Sequence, residues 1–122
     1  MVKRHNPATL EINSLKKAKK EIKKIGSDPL SIDIMAPKAV LKVIKFKDVK
    51  LQDAIIVKQD MLSIGGEVAV PKKTFELKEK KADILVIGTL KQLNELVIKL
   101  NRHYPRVKKI GQELSDLLED LK

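Results

Sequence analysis

The sequence predicts an α+β fold, a two-layer sandwich in which a small sheet of three to four mixed strands carries helices mainly on one face. Apolar residues recur at spacings of three and four in four segments, which is the pattern of helices packed on a core. Other segments have the alternating or continuous apolar pattern of strands. With 122 residues the chain has room for one domain, which we expect to span residues 1–122.

The first predicted helix is basic and lies near the N-terminus. Asn6 is a candidate cap for this helix, and Pro7 suits its first helical position. Gly26 provides the left-handed residue that ends the helix, and Pro29 prevents its continuation. Its apolar stripe consists of Leu15, Ala18, Ile22 and Ile25.

Two segments with strand signals follow this helix. Residues 32–35 are a short apolar segment that can pair as a strand, and Pro37 restricts it to a sheet edge or a turn. Residues 39–49 are predicted to form a strand. Both faces of this strand are partly apolar at its start, so we expect it to occupy a central position.

Further strand signals lie in the second half of the chain. Residues 67–70 predict a short strand, which residues 74–77 can extend before a charged turn at residues 78–81. Residues 82–88 have the strongest signal of a buried strand. Its centre is the apolar run Ile84-Leu85-Val86-Ile87.

Three more helices are predicted from apolar periodicity and from their terminal residues. Residues 51–64 form the second helix, which two glycines end. Thr89 and Gln92 have the spacing of a capping box at the start of the third helix. Pro105 breaks that helix, and the last helix begins near Val107.

The composition excludes several classes of function. The chain has no cysteine, so disulfides, thiol catalysis and cysteine-type zinc sites are absent. Aromatic residues make up 2% of the chain, which removes the stacking platforms of most single-strand nucleic-acid binders. No apolar run approaches the roughly 20 residues that span a bilayer. We therefore expect a cytoplasmic protein with no membrane partner.

The net charge of +10 is concentrated in the first half of the chain. Residues 1–50 contain 13 basic and 5 acidic residues, whereas residues 51–122 contain 13 and 11. One interpretation is a nucleic-acid surface on the first helix. The other is a protein from a hot habitat, in which lysine and glutamate are abundant. The candidate nucleic-acid contacts are Lys16, Lys19, Lys20 and Lys23.

The sequence contains no recognisable catalytic or metal-binding set. His5 and His103 are far apart, and a histidine near a helix C-terminus is commonly favoured by the helix dipole. The acidic residues of the last helix have the pattern of a solvated face, without the spacing of a calcium loop. We expect no catalytic residues, no metal and no cofactor.

Two glycine-containing segments are candidate anion sites. Gly65-Gly66 follows a helix and precedes a strand, so a helix cap explains this pair better than a phosphate cradle does. Gly88-Thr89 precedes a helix, where free N–H groups can hold an anion with Lys91 nearby. No nucleotide-binding fingerprint accompanies either segment.

Four segments together resemble a known family, in the same order along the chain. Lys-Gln-x-Met-Leu-Ser-x-Gly-Gly at residues 58–66 and Gly-Thr-Leu-Lys-Gln at residues 88–92 are the specific parts, and Met-Ala-Pro-Lys-Ala at residues 35–39 and Gly-Ser-Asp-Pro at residues 26–29 accompany them. They resemble the extra N-terminal domain ahead of the barrel in long-form dihydropteroate synthases. The resemblance covers roughly residues 20–112.

The resemblance implies a fold and a pathway, but not the synthase activity. The family joins a pterin diphosphate to 4-aminobenzoate on a (β/α)₈ barrel of about 250 residues, and none of the barrel motifs occurs here. Residues 71–73 and 103–106 depart from the family pattern. If the motif residues converge, they would form a surface for a ligand or partner: Met35, Lys38, Lys58, Gln59, Gly65, Gly66, Gly88, Thr89, Lys91 and Gln92.

Three functions therefore stay open. The first is a non-catalytic accessory or protein-interaction domain associated with pterin metabolism, with another protein or a second copy of the chain as partner. The second is a nucleic-acid-binding protein that uses the basic first helix. The third is a small enzyme or a pterin- or anion-binding protein with an unfamiliar site. Exposed sheet edges make a homodimer a reasonable expectation.

Overall fold

A computed structural model of the chain describes residues 4–72, 74 and 80–121. It confirms the α+β fold class, with five α-helices and a three-stranded sheet among the described residues. The helices lie largely on one side of the sheet. In chain order the elements are α1 (Leu15–Ile25), α2 (Pro29–Met35), a 3-10 turn (Ala36–Lys38), β1 (Leu41–Lys50), α3 (Leu51–Ile64), β2 (Glu67–Ala69), β3 (Lys81–Thr89), α4 (Leu90–Leu100) and α5 (Pro105–Asp120).

The strand order is β1-β3-β2, and both pairings are antiparallel. β1 and β2 therefore run in the same direction, but β3 lies between them and α3 connects them. The sheet is therefore antiparallel and not mixed as expected, because the two strands that run in the same direction are not neighbours. The central position expected for β1 is also wrong: β1 is an edge strand of the described sheet, and the apolar Leu41 and Val43 at its start are 60% and 58% exposed.

The core is aliphatic, as the composition predicts. It forms between the inner face of the sheet and the helices, which contribute fully buried leucine, valine and methionine side chains. The largest residues with no exposed surface are Met61, Leu93, Leu96, Leu100 and Leu114. Because β1 and β3 alternate buried and exposed residues, only one face of the sheet contributes to this core.

The first helix is shorter than predicted. It begins at Leu15, and the Oγ of Ser14 accepts a hydrogen bond from the N–H of Lys17 at 3.1 Å. Asn6 lies outside the helix with a φ of +46°, so neither Asn6 nor Pro7 starts it. The helix therefore starts at the serine cap. The residues before it are not helical, although one of them, the partly buried Ile12, packs on the core.

Residues 29–38 form helical turns, so the short strand expected at residues 32–35 is not formed. Asp28 caps α2 by accepting a hydrogen bond from the N–H of Leu30 at 3.0 Å, and Pro29 occupies the first turn. The proline that was predicted to prevent a helix therefore begins a new one. Its fixed φ and missing N–H suit a first helical position as well as they suit a break.

The remaining predictions agree closely with the structure. The bounds of α3 are confirmed, the buried strand β3 extends one residue beyond the predicted range at each end, and α4 follows directly from β3. α5 begins at Pro105, two residues before the predicted start. The predicted strand extension and charged turn at residues 74–81 lie mostly outside the described residues. Across the described part of the chain, no helix has the length and apolarity needed to cross a membrane.

Candidate functional site

Two of the three glycines of the predicted surface, Gly66 and Gly88, meet around one buried methionine. A Cβ on Gly66 would lie 2.4 Å from the Cε of Met61, and a Cβ on Gly88 would lie 2.3 Å from the same atom. Met61 itself is fully buried. The end of α3, the start of β2 and the end of β3 therefore approach so closely that a Cβ at either position would require Met61 to move.

The backbone of Gly65-Gly66 ends α3. Gly65 adopts the left-handed conformation with a φ of +99°, and its N–H donates to the carbonyl of Leu62 at 3.1 Å. The N–H of Gly66 donates to the carbonyl of Met61 at 3.0 Å. Both donors are thus occupied by the helix, as a C-terminal cap requires.

The capping box at the start of α4 has the predicted geometry. The N–H of Gln92 donates to the Oγ1 of Thr89 at 3.2 Å, and the N–H of Thr89 donates to the Oε1 of Gln92 at 2.9 Å. The N–H of Leu90 donates to the carbonyl of Val40 at 2.9 Å, and Lys91 pairs with Glu95. These contacts give the motif a structural role, and a ligand role for it stays a prediction.

The remaining residues of the predicted surface lie on α3 and where α2 meets the 3-10 turn, and their convergence with this cluster stays a prediction. Lys58 connects α3 to β2, because its Nζ lies 2.9 Å from the Oε1 of Glu67 and 2.6 Å from the carbonyl of Val68. The hydrogen bond from Lys58 and then that from the backbone of Val68 lower the pKa of Glu67. Gln59 is exposed. The 3-10 turn that contains Lys38 follows the partly buried Met35 and packs against α4.

The lysines of α1 form an exposed basic face. Lys19 pairs with Asp33 of α2 at 3.1 Å. Lys16, Lys20 and Lys23 are exposed and form no ion pair with any described residue. The arrangement is compatible with phosphate binding and equally with a solvated face, so the nucleic-acid interpretation stays a prediction.

A buried carboxylate that sequence patterns did not reveal lies at the start of α3. The side chain of Asp53 is 2% exposed. Its Oδ2 accepts from the Nε of Arg106 at 2.6 Å, and its Oδ1 accepts from Nη2 of the same guanidinium at 2.9 Å. The hydroxyl of Tyr104 also donates to Oδ1. The cluster joins the first turn of α3 to the first turn of α5.

These contacts decide the charge state of Asp53. Burial alone would raise the pKa of this carboxyl, since a buried charge loses its hydration. The hydrogen bonds from Arg106 and Tyr104, together with the charges of Arg106 and Lys50, outweigh burial and lower the pKa. The bond to Asp53 is the main cause that raises the pKa of Tyr104. Asp53 is thus a fixed anion that holds Arg106 in place.

The stretch that departs from the family pattern is also the stretch that holds the helices together. Besides Tyr104 and Arg106, it contains His103, whose Nε2 lies 2.8 Å from the Oδ2 of Asp60 on α3. This contact with a carboxylate explains the presence of a histidine here better than the helix dipole alone does. Among the described residues, no group of three or more His, Cys, Asp or Glu side chains is placed to hold a metal ion.

Two further surfaces of the described molecule bear on its function. One is a groove of about 560 Å³ between the end of β1 and α5, with Arg106 in its wall. The other is the free face of the sheet, opposite the helices. The register places Leu41 and Val43 of β1 beside Leu85 and Ile87 of β3 on this face. We call the second surface the open sheet face.

Comparison with known proteins adds one relationship to this geometry. The chain is 32% identical over 119 residues to a bifunctional dihydropteroate synthase/dihydropteroate reductase of Helicobacter pylori (strain ATCC 700392 / 26695). This chain resembles one segment of a dihydropteroate enzyme. The alignment covers 98% of the chain but 29% of the relative, so the chain spans under a third of that protein.

No family model matches the chain, and no solved structure matches it. The relationship to dihydropteroate synthases expected from the motifs is confirmed as similarity over nearly the whole chain. Its assignment to an N-terminal extension stays a prediction.

Proposed function

We propose that this chain is a non-catalytic accessory domain of a dihydropteroate synthase-type enzyme, which binds the catalytic part of that enzyme through the open sheet face. The observation that carries the proposal is the alignment, in which nearly all of this chain corresponds to a minor part of a longer bifunctional relative. Most of the relative therefore lies outside the region that this chain resembles.

The contacts of the ionisable groups support a non-catalytic role. The buried polar residues in the described part of the chain are Asp53 and Thr74, and both oxygens of Asp53 are bound to Arg106. His103 is bound to Asp60, and Lys58 to Glu67. A catalytic acid or base must be free to reach a substrate proton, whereas these groups hold helices and strands together.

The open sheet face supports a docking role. It presents the exposed Leu41, Val43 and Leu85, and the pair Lys45–Asp83 lies at its border. Covering an apolar sheet face with a second layer is favourable by about 25 cal/mol for each Å² of apolar surface removed from water. In the relative, a larger polypeptide is attached to the equivalent region, and it is the occupant that we propose for this face.

The proposal is tested by mixing this chain with the dihydropteroate synthase of the same organism and measuring the complex by isothermal titration calorimetry. Val43→Lys and Ile98→Lys are matched variants, because both residues are 58% exposed and Ile98 lies on α4 and not on the open sheet face. We expect Val43→Lys to weaken the complex at least about tenfold, since a lysine charge must be desolvated there. Ile98→Lys should leave the affinity unchanged.

Three results would contradict the proposal. They are the absence of a complex, equal losses in the two variants, and formation of dihydropteroate by this chain alone. Sedimentation of the chain by itself completes the test. A homodimer that Val43→Lys dissociates would replace the synthase by a second copy as the occupant of the open sheet face.

A further inference from the structure

The geometry points to a second binding surface, the groove between the end of β1 and α5, as a site for a small molecule that carries a carboxylate or phosphate on an apolar body. We call it the β1–α5 groove. It differs from the open sheet face, because residues 44–50 and helix α5 form its walls, and it shares only Lys45 with the border of that face. The inference goes beyond the proposed docking role and does not depend on it.

A β-bulge shapes one wall of this groove. Phe46 pairs with Ile84 and Val49 pairs with Ala82, so Lys47 and Asp48 together oppose the single residue Asp83. Asp48 has a φ of +54°, and its N–H donates to the Oδ1 of Asp83 at 3.1 Å. The bulge is thus held by a specific hydrogen bond. Bulges of this kind commonly redirect side chains beside binding sites.

The guanidinium of Arg106 forms a fixed donor in the same groove. Its Nε and Nη2 are bound to Asp53, and it stacks 5.2 Å from the ring centre of Tyr104. The side chain is nevertheless 45% exposed, and its Nη1 makes no hydrogen bond to any described residue. Because the rest of the guanidinium is already held in place, binding of an anion to Nη1 would cost little additional side-chain entropy.

Lysines without an ion-pair partner among the described residues line the same groove. Lys47, Lys50 and Lys109 line the groove, and none of them forms an ion pair with a described residue. The lining carboxylates Asp48 and Glu113 are fewer than these cations, and Asp53 is already neutralised by Arg106. The positive end of α3, which has no side-chain cap, begins beside Lys50 and adds to the field. The groove therefore attracts negative charge.

Apolar side chains complete the groove and suggest the rest of the ligand. Phe46, Ile110 and Leu117 line it together with the charged groups, and Leu117 is 38% exposed. Its volume of about 560 Å³ falls within the range of about 300–1,000 Å³ that is usual for small-molecule sites. A single aromatic residue gives no series of stacking platforms for nucleic-acid bases. An aryl carboxylate or aryl phosphate has both the charge and the apolar body that the groove can bind.

The test is a titration of the full chain, followed by ¹H–¹⁵N correlation spectra. The probes are 2-naphthoate and 2-naphthyl phosphate, which distinguish a carboxylate from a phosphate as the bound group. Neutral 2-naphthamide and inorganic phosphate are the controls for charge and for the apolar body. We expect saturable shifts at Lys47, Lys50 and Ile110 with one or both aryl anions, and at least about tenfold weaker binding of both controls.

Charge-reversal variants locate the site. Lys109→Glu should weaken the aryl anion about tenfold, because it places a negative charge in the groove wall. Lys16→Glu changes the net charge by the same amount, but Lys16 lies on α1. We therefore expect this variant to change the affinity for the aryl anion less than about twofold at moderate salt. Circular dichroism spectra of the two variants establish that both are folded before the affinities are compared.

Several outcomes would overturn the inference. One is the absence of saturable shifts with both aryl anions at low salt, where charge attraction is strongest. Another is equal weakening by Lys109→Glu and Lys16→Glu, which would show binding to net charge alone. A third is tight binding of an oligonucleotide that Lys109→Glu weakens and neither aryl anion displaces, which would assign the groove to nucleic acid.

Discussion

Asp53 is the residue on which the junction between α3 and α5 depends. It lies in the first turn of α3, where a negative charge is favoured by the helix dipole. Its carboxylate is nearly inaccessible to water, so the hydrogen bonds from Arg106 and Tyr104 must replace its hydration. Removal of one partner therefore leaves a buried charge only partly compensated.

Arg106→Met should lower the free energy of unfolding by about 2 kcal/mol, less than the 3–5 kcal/mol typical of a fully buried pair, because Arg106 is partly exposed. Urea unfolding of the purified variant measures the loss. Arg102→Met is the matched control, since the side chain of Arg102 is exposed and makes no hydrogen bond or ion pair with a described residue. A loss that is equal in the two variants would contradict the assigned role of the Asp53–Arg106 pair.

The lowered pKa of Asp53 predicts an acid-dependent loss of stability. The folded-state pKa lies below that of the unfolded chain, which is about 3.9, so the unfolded state binds the proton more readily. The contribution of Asp53 is complete above about pH 4 to 5 and is lost as the pH falls through the folded-state pKa. Urea unfolding at a series of acidic pH values measures this effect. The free energy of unfolding of Asp53→Asn should depend less steeply on pH than that of the unsubstituted protein.

The Asp53–Arg106 pair could not have been predicted from the sequence. The two residues are 53 positions apart, and no local pattern relates them. By contrast, Gly65, Thr89 and Gln92 were singled out because their roles depend on neighbours within a few residues. Local roles can be recognised from spacing, whereas a partner across the fold requires the strand and helix arrangement to be known first.

At the scale of elements, the close approach of α3, β2 and β3 around Met61 depends on glycine. Gly88→Ala should lower the free energy of unfolding by about 1–3 kcal/mol, because the added Cβ would overlap the Cε of Met61. Met61→Leu in the Gly88→Ala background should recover part of this loss, since leucine lacks that terminal atom. A double-mutant cycle from thermal unfolding measures the coupling.

Gly65→Ala provides the control for this cycle. Its Cβ would meet only the Nε2 of Gln92 at 3.4 Å, so the cost of about 1–2 kcal/mol arises from the positive φ. Met61→Leu should therefore give no recovery at Gly65. Recovery at both positions would show that steric overlap with Met61 is not the specific cause.

The helix predictions differ in accuracy for a physical reason. α3 and α4 have caps that permit one interpretation, a glycine after α3 and a capping box before α4. At Asp28-Pro29 the same residues are compatible with the end of one helix and the start of another. The packing of α2 against α1 favours the start of a new helix. The sequence pattern contains no information on that packing.

For the whole molecule, the excess of positive charge opposes folding. The net charge is +10, and Lys16, Lys20 and Lys23 of α1 lack a described partner. We expect the melting temperature to rise as sodium chloride increases from low to moderate concentration, since salt screens this repulsion. The double variant Lys16→Glu/Lys20→Glu should respond less. A melting temperature that falls with salt would indicate that attractive pairs dominate instead.

The strand order has a consequence for the biosynthesis of the chain. β3 makes every strand pairing in the described sheet, and it follows both of its partners in the sequence. As the chain leaves the ribosome, β1 and β2 lack their partner in the described sheet until residues 81–89 emerge. A fragment that ends before Lys81 should show helix but no strand signal in circular dichroism. The last third of the chain thus controls when the nascent protein first acquires a sheet.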